Sequence, residues 1–170
     1  KLAGEYGDRA PRALIGVAAV SPILEIGECV RALEQPRNFI YEWNFVRDLK
    51  ARMRRKNRHR PGAFDLRPLA RIKTVREFDE VYTAPHFGFA GADDYYYRAS
   101  AMRVIDRIAV PALVITAEDD PFVPHQPFGD PKVTGNPNIT LRISRHGGHC
   151  GFVGPASAED DGYWAETQIV

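Results

Sequence analysis

Ser-Arg-His-Gly-Gly-His-Cys-Gly-Phe, at residues 144–152, is the stretch that decides the fold of this chain, together with Thr-Ala-Glu-Asp-Asp-Pro-Phe-Val-Pro at residues 116–124. Each stretch follows a short apolar run, so each begins near the end of a predicted strand. The first carries a glycine-framed histidine and the second a pair of carboxylates. In open α/β sheets the functional residues lie at the carboxyl ends of the parallel strands, so we expect both stretches at one edge of a sheet.

Three apolar segments are the predicted strands. Residues 14–20 form a continuous apolar run that ends at Ser21-Pro22, and residues 112–115 form another. Such runs are typical of parallel strands buried on both faces. Residues 139–143 alternate between apolar and polar side chains, which predicts a half-exposed strand near the sheet edge. The predicted fold class is therefore α/β, with three mostly parallel strands.

The residues between the first two strands are predicted to be mostly helical. Apolar residues recur at helical spacing within residues 26–33, and a second stripe contains Phe39, Trp43, Val46 and Met53. A proline separates these two helices.

Other helix signals lie at both ends of the chain and in its middle. Residues 74–77 fit a capping box, and Asp93-Asp94 place two acids at the start of another helix. Residues 1–8 resemble the last turns of a helix, and residues 163–170 resemble a helix just begun. Residues 157–162 are predicted to be a polar loop.

A basic segment occupies residues 47–60, where Asp48 is the single acid. One interpretation is that this segment binds the phosphates of an acyl-CoA, an anionic lipid surface or a nucleic acid. A solvated helix face is the favoured interpretation, because no aromatic residues are interleaved with the charges. The basic residues are Arg47, Lys50, Arg52, Arg54, Arg55, Lys56, Arg58 and Arg60.

Composition limits the class of protein. The 170 residues are 44% hydrophobic and carry 23 Lys plus Arg against 22 Asp plus Glu, so no global field favours nucleic acid. No apolar run is long enough for a membrane span, and no signal peptide is expected. Cys29 and Cys150 match no metal or disulfide spacing, which favours a reducing, cytoplasmic location.

Four stretches together resemble the YheT-like branch of the α/β-hydrolase superfamily over nearly the whole chain. The resemblance is most specific in the last two. They are Phe78-Asp79 through Pro85 with Gly88-Phe89, then Asp94-Tyr95-Tyr96, then residues 111–124, and finally His-Gly-Gly-His-Cys-Gly-Phe at residues 146–152.

The resemblance implies a serine hydrolase that acts on carboxylic esters, namely short- to medium-chain acyl esters or lipids, and uses no cofactor. Relatives in the superfamily are lipases and medium-chain acyltransferases. It implies that Asp120 is the acid and His149 the general base of a Ser-His-Asp triad. It also implies three parts: the end of the nucleophile helix plus a core strand at residues 1–24, a helical cap at 25–108, and C-terminal core strands at 109–170.

The chain departs from the family at the nucleophile. The Gly-x-Ser-x-Gly elbow and the strand loop that completes the oxyanion hole are absent, and none of Ser21, Ser100, Ser144 or Ser157 has the strand-turn-helix context. We therefore expect the serine roughly ten residues before Lys1, and expect the chain by itself to be inactive.

Neighbouring residues compete for the acid and base roles. Asp119 competes with Asp120, which is preferred because it fits the superfamily pattern of an acid four residues before a proline. Asp120 also suits the N-cap of a helix with Pro121 in its first turn. His146 competes with His149, which the Gly-Gly-His frame favours.

Three further alternatives stay open at this stage. Phe122 and Phe152 flank the acid and the base, and suit either the wall of an acyl pocket or the core. A metal site would use His146 and His149 with Asp119, Asp120 or His125, although the two glycines make a helical ligand pair unfavourable. A non-catalytic binding or assembly module is the last alternative.

Overall fold

A computed structural model describes residues 1–156 and 161–169 and contains a sheet of three parallel strands. The strands are β1 (Val17–Val20), β2 (Ala112–Ala117) and β3 (Ile139–Ser144), in the order β1-β2-β3. Ala117 is paired with Ser144, so β2 and β3 end side by side. The α/β class and the parallel strands are confirmed.

Helices and helical turns make up most of the rest of the described chain. A π-helical turn at Asp79–Thr83 joins the fourth helix to the fifth. The helices are α1 (Leu2–Tyr6), α2 (Ile26–Leu33), α3 (Phe39–His59), α4 (Val75–Phe78), α5 (Ala84–His86), α6 (Ala92–Ala99), α7 (Pro131–Thr134) and α8 (Trp164–Thr167). Turns of 3-10 helix lie at Gly7–Arg9, Pro36–Asn38, Arg67–Ala70, Ala101–Arg103, Ile105–Arg107 and Gln126–Gly129.

The chain divides into two compact units. One unit consists of Lys1–Cys29 and Ala99–Val170 and contains the sheet; the other is Val30–Arg98. The assignment of residues 25–108 to a cap stays a prediction. Of the loop predicted at residues 157–162, residues 157–160 lie outside the described part of the chain.

Strand β2 is buried on both faces, as its unbroken apolar run predicts. Successive side chains of a strand point to opposite faces. Val114 lies in one apolar cluster with Phe128, whereas Ile115 lies in a second cluster with Phe152. The strand that precedes Asp119 and Asp120 is therefore held from both sides, which fixes where its carboxyl end lies.

Strand β1 is shorter and more exposed than the sequence predicts. The apolar run starts at residue 14, but the strand starts at Val17, and Ile15 is 85% exposed. Val17 donates its N–H to the carbonyl of Pro111, and the ladder begins at the next residue of β2. Because proline has no N–H to donate, the pairing does not continue beyond it. Among the described residues β1 has β2 as its one neighbour, which leaves it half-buried.

Helix α3 confirms one half of its predicted apolar stripe. Val46 and Met53 are buried in the core of the second unit, but Phe39 and Trp43 are 66% and 55% exposed. The apolar cluster of this unit takes Val46, Leu49 and Met53 from α3, all in or beyond its third turn. The basic residues of its second half are mostly exposed, as expected for a solvated face.

The predicted capping box is present at the start of α4. Thr74 Oγ1 accepts a hydrogen bond from the Glu77 N–H at 3.1 Å, and Glu77 Oε2 accepts one from the Thr74 N–H at 3.2 Å. The pair satisfies two N–H groups that the first helical turn leaves without partners. None of the helices in residues 1–156 and 161–169 combines the length and the apolarity needed to cross a bilayer.

Candidate active site

Asp120 and His149 meet at the carboxyl edge of the sheet. Asp120 follows β2, His149 follows β3, and His149 Nδ1 lies 3.0 Å from Asp120 Oδ2, which is hydrogen-bonding distance. The Asp120 side chain is fully buried, whereas the His149 side chain is 39% exposed. The arrangement holds one nitrogen of the imidazole against a carboxylate and leaves part of the ring accessible.

The second oxygen of Asp120 is held by the backbone. Asp120 Oδ1 accepts hydrogen bonds from the N–H groups of Phe122 and Val123, at 2.8 and 2.9 Å. These are the contacts of a helix N-cap, yet no α-helix begins at Pro121, and the next helical element is the 3-10 turn at Gln126–Gly129. The N-cap interpretation is therefore wrong about the helix but right about the hydrogen bonds. They orient the carboxylate and are hydrogen bonds of the kind that an ionised carboxylate accepts.

Asp119 forms a separate set of contacts. Its Oδ1 accepts a hydrogen bond from the Gly148 N–H at 2.8 Å, and its Oδ2 lies 3.4 Å from Nδ1 of His146. The Gly148 N–H and, secondarily, His146 hold the pKa of Asp119 below its usual range. The His146 side chain is 89% exposed. Asp119 and His146, the alternative candidates for the acid and the base, thus pair with each other at the surface.

Two glycines let the loop after β3 carry His149 toward the sheet. Gly148 has a φ of 50°, in the left-handed region that glycine adopts most readily. At Gly147 a Cβ atom would lie 2.5 Å from the ring of Phe152, which is too close for any side chain. Glycine is therefore required at position 147 because a side chain would clash with Phe152, and it is favoured at position 148 because of the left-handed backbone.

Ser21 is a residue of this region that sequence reasoning did not single out. It follows β1, is 5% exposed, and has a φ of 46°. Its Oγ accepts a hydrogen bond from the Cys150 N–H at 3.3 Å, and its own N–H donates to the Ile115 carbonyl at 2.8 Å. Sequence reasoning could have found Ser21 from its position after a predicted parallel strand, which is also how Asp120 and His149 were identified.

The hydroxyls of the serines that the structure describes bind the backbone. Ser21 Oγ accepts from Cys150, and Ser100 Oγ accepts from the Ile26 N–H at 2.9 Å. Ser144 Oγ donates to the His146 carbonyl at 2.7 Å. Ser157 lies outside the described residues.

The two phenylalanines have different surroundings. The ring of Phe122 stands edge-on to the His149 ring, with centroids 5.3 Å apart. Phe152 is 5% exposed and packs in an apolar cluster with Ile115, its ring 6.0 Å from that of Trp164. Phe122 therefore borders the His149 ring, whereas Phe152 is buried in the core.

Cys29 lies close enough to Asp120 to be affected by its charge, but it is a poor nucleophile. Burial, and after it the charge of Asp120, raises the pKa of the Cys29 thiol to about 12. The thiolate is the reactive form, so a thiol with this pKa stays protonated near neutral pH. For the metal alternative, no group of three or more ligand-type side chains comes together within the described part of the chain.

Similar proteins include several named for reactions of esters. The chain is 35% identical over 170 residues to YheT of Escherichia coli (strain K12), an esterase by name; the match covers 99% of this chain and 48% of that protein. It is 31% identical over 151 residues to phospholipase ABHD3 of Mus musculus, covering 88% of this chain and 36% of that protein.

A shorter match adds a third name. Over 99 residues the chain is 44% identical to medium-chain fatty acid ethyl ester synthase/esterase 2 of Saccharomyces cerevisiae, covering 58% of this chain and 21% of that protein. The chain therefore spans less than half the length of each of these relatives. No family model matches it, and no solved structure matches it significantly.

Proposed function

Because the chain belongs to the YheT-like branch of the α/β-hydrolase superfamily, we propose that it supplies the acid and the base of a carboxylic ester hydrolase. Asp120 and His149 are two members of a Ser-His-Asp triad whose serine lies in another part of the full-length protein. The observation that carries this proposal is the 3.0 Å contact between the buried Asp120 carboxylate and Nδ1 of the part-exposed His149.

His149 acts as the general base in this mechanism. Its Nε2 takes the proton of the serine hydroxyl as the serine oxygen attacks the ester carbonyl carbon. The same proton then passes to the departing alkoxide, which leaves as the alcohol when the carbon–oxygen bond breaks. Water, deprotonated by His149 in turn, attacks the carbonyl carbon of the acyl-enzyme. The bond between that carbon and the serine oxygen then breaks, His149 returns the proton to the serine, and the carboxylic acid is released.

Asp120 sets the tautomer of that base. A carboxylate at Nδ1 accepts the Nδ1–H and leaves the lone pair on Nε2, and it stabilises the imidazolium that forms when Nε2 is protonated. The amides of Phe122 and Val123 hold the other oxygen, so the carboxylate is oriented before substrate arrives. Phe122, beside the His149 ring, is positioned to contact the acyl group.

The substrate class is a short- to medium-chain acyl ester or a lipid ester. The names of the similar proteins, esterase and phospholipase, support an ester substrate. Acyl transfer is the second candidate, because the yeast protein is named as a synthase as well as an esterase. An alcohol would then replace water in the second step, with no change in the roles of Asp120 and His149.

Labelling of the full-length protein with a fluorophosphonate probe tests the proposal, because the probe reacts with serines activated by a base. Labelling should vanish in His149→Ala and fall strongly in Asp120→Asn. Ser144→Ala, in the same loop, is the matched control and should label normally. Undiminished labelling in both site variants would refute the triad assignment, and activity that chelators abolish and zinc restores would favour the metal alternative.

A further inference from the structure

The two peptide N–H groups that flank His149 are both bound by side chains from other loops. The Gly148 N–H donates to Asp119 Oδ1 at 2.8 Å, and the Cys150 N–H donates to Ser21 Oγ at 3.3 Å. Asp119 follows β2 and Ser21 follows β1. The loop after β3 is thus attached, on each side of His149, to the loops that follow the other two strands.

The backbone around His149 needs such attachment. Gly148 and Cys150 both have positive φ, at 50° and 65°. For a residue with a side chain, such as Cys150, the left-handed conformation is unfavourable, because the Cβ atom lies too close to the following carbonyl oxygen. A free loop would relax toward ordinary angles and turn the His149 Cα–Cβ bond away from Asp120. A hydrogen bond to each flanking amide opposes that rotation.

We propose that Asp119 and Ser21 are positioning residues that hold the His149 ring against Asp120. The catalytic consequence rests on the proposed function, whereas the effect on ring orientation does not. Asp119 acts through a side-chain oxygen that accepts the Gly148 N–H. Ser21 acts through a hydroxyl that is buried and accepts the Cys150 N–H.

A second role for Asp119, as the partner of His146, is the competing explanation. The distances favour the backbone contact, because the Gly148 hydrogen bond is 2.8 Å long and the His146 nitrogen lies at 3.4 Å. His146 is also 89% exposed, where an ion pair contributes little. Removing His146 should therefore leave His149 in place, while removing the Asp119 acceptor should not.

Steady-state kinetics of the full-length protein separate these explanations. Asp119→Leu removes the acceptor at similar volume and should lower kcat about 10- to 100-fold, with KM unchanged within about 2-fold, because the base is displaced and substrate contacts are not. Asp119→Asn keeps an oxygen that can accept the Gly148 N–H, and should restore most of the rate. Ser21→Ala should act in the same direction as Asp119→Leu.

The matched controls lie in the same loop. His146→Gln removes the other partner of Asp119, and Ser144→Ala removes the hydrogen bond to the His146 carbonyl. Both should keep kcat within about 2-fold, since neither touches an amide that flanks His149. Loss of rate in His146→Gln equal to that in Asp119→Leu would overturn the proposal in favour of the ion pair.

NMR of histidine-labelled protein tests ring orientation without any activity. The wild-type protein should show the downfield Nδ1–H resonance of a His149 ring bonded to Asp120, confirmed by its absence in His149→Gln. Asp119→Leu should lose or broaden that resonance, while Asp119→Asn and His146→Gln keep it. A folded Asp119→Leu variant with an unchanged resonance would refute positioning even if the enzyme is a serine hydrolase. If the wild-type protein has no hydrolase activity but the resonance is still lost in Asp119→Leu, the result would support the positioning role and refute the proposed function.

Discussion

His149 Nδ1 lies 3.0 Å from Oδ2 of Asp120, across 29 residues of sequence, and the other oxygen of Asp120 is bound by two backbone N–H groups. The carboxylate therefore has one oxygen for the backbone and one for the imidazole. The backbone N–H groups can donate only to an acceptor, so they dictate which end of any substituted side chain faces them.

Asp120→Asn should therefore inactivate by reversing the tautomer of His149. The Phe122 and Val123 amides will select the asparagine oxygen, which turns its NH₂ group toward His149 Nδ1. Nδ1 must then accept a hydrogen bond, the proton moves to Nε2, and the ring no longer acts as a base. We expect kcat to fall about 10⁴-fold with little change in KM. Steady-state kinetics check the rate, and a thermal unfolding curve close to wild type excludes misfolding; a rate within a few-fold of wild type would contradict the assignment.

Phe122 and Phe152 should respond differently to truncation. Phe152→Ala removes a 5% exposed ring from the apolar cluster of β2 and should lower the free energy of unfolding by about 3–5 kcal/mol. Phe122→Ala should lose less stability, because the ring is only partly buried, and should raise KM more for longer acyl chains. Denaturant unfolding and kinetics on an ester series measure both effects. A stable Phe152→Ala protein with an altered acyl preference would instead make Phe152 a substrate contact.

Much of the site followed from one topological rule. A continuous apolar run identified β2, an alternating segment identified β3, and parallel strands end at a common edge, so the sequence predicts that Asp120 and His149 are neighbours. The Gly-Gly-His frame was informative for the same reason, since glycine allows the turn that returns a side chain to that edge. Local pattern and topology were sufficient here because both residues lie in the loops that leave the carboxyl ends of strands.

Tertiary contacts explain what the sequence did not reveal. Ser21 binds the amide of Cys150 across 129 positions, and nothing in its local sequence indicates that hydrogen bond. The N-terminal limit of β1 depends on Pro111, which precedes β2, and the exposure of Phe39 and Trp43 depends on which elements pack on α3. Periodicity predicts which side chains share a face, but it does not predict what covers that face.

Asp79 should make the second unit less stable at neutral pH than an asparagine would. Burial raises the pKa of Asp79, even though the Tyr96 hydroxyl donates to its Oδ2 at 2.8 Å. A raised pKa in the folded state means that its stabilising contribution is complete below the unfolded value, about 3.9, and is lost as pH rises through the folded pKa. Asp79→Asn keeps the acceptor for Tyr96 and removes the buried charge. Its melting temperature should exceed that of wild type at neutral pH, and the difference should shrink on acidification.

Asp65 is a control residue, because its pKa is shifted in the direction opposite to that of Asp79. The Arg67 guanidinium, bound to the Asp65 carboxylate, holds the pKa of Asp65 below its usual range. Its contribution is therefore present above the unfolded pKa and is lost as pH falls through the folded value. Asp65→Asn should be slightly less stable than wild type at neutral pH and equal to it in acid. Thermal unfolding over a pH series measures both variants, and an Asp79→Asn protein that melts below wild type at neutral pH would contradict the burial argument.

The two cysteines should differ sharply in alkylation. Cys29 is partly buried and its pKa is raised to about 12, whereas Cys150 is exposed and directly follows His149. Since the thiolate is the nucleophile, iodoacetamide near neutral pH should modify Cys150 in the folded protein and reach Cys29 only after denaturation. Because the Cys150 N–H is bound to Ser21, a bulky adduct on its side chain should disturb the turn and lower the hydrolase rate in step with labelling. Peptide mass spectrometry with parallel rate assays measures both quantities, and Cys150→Ala should make the rate insensitive to the reagent. Equal modification of Cys29 and Cys150 in the native protein would show that the thiol beside Asp120 is not protected by burial.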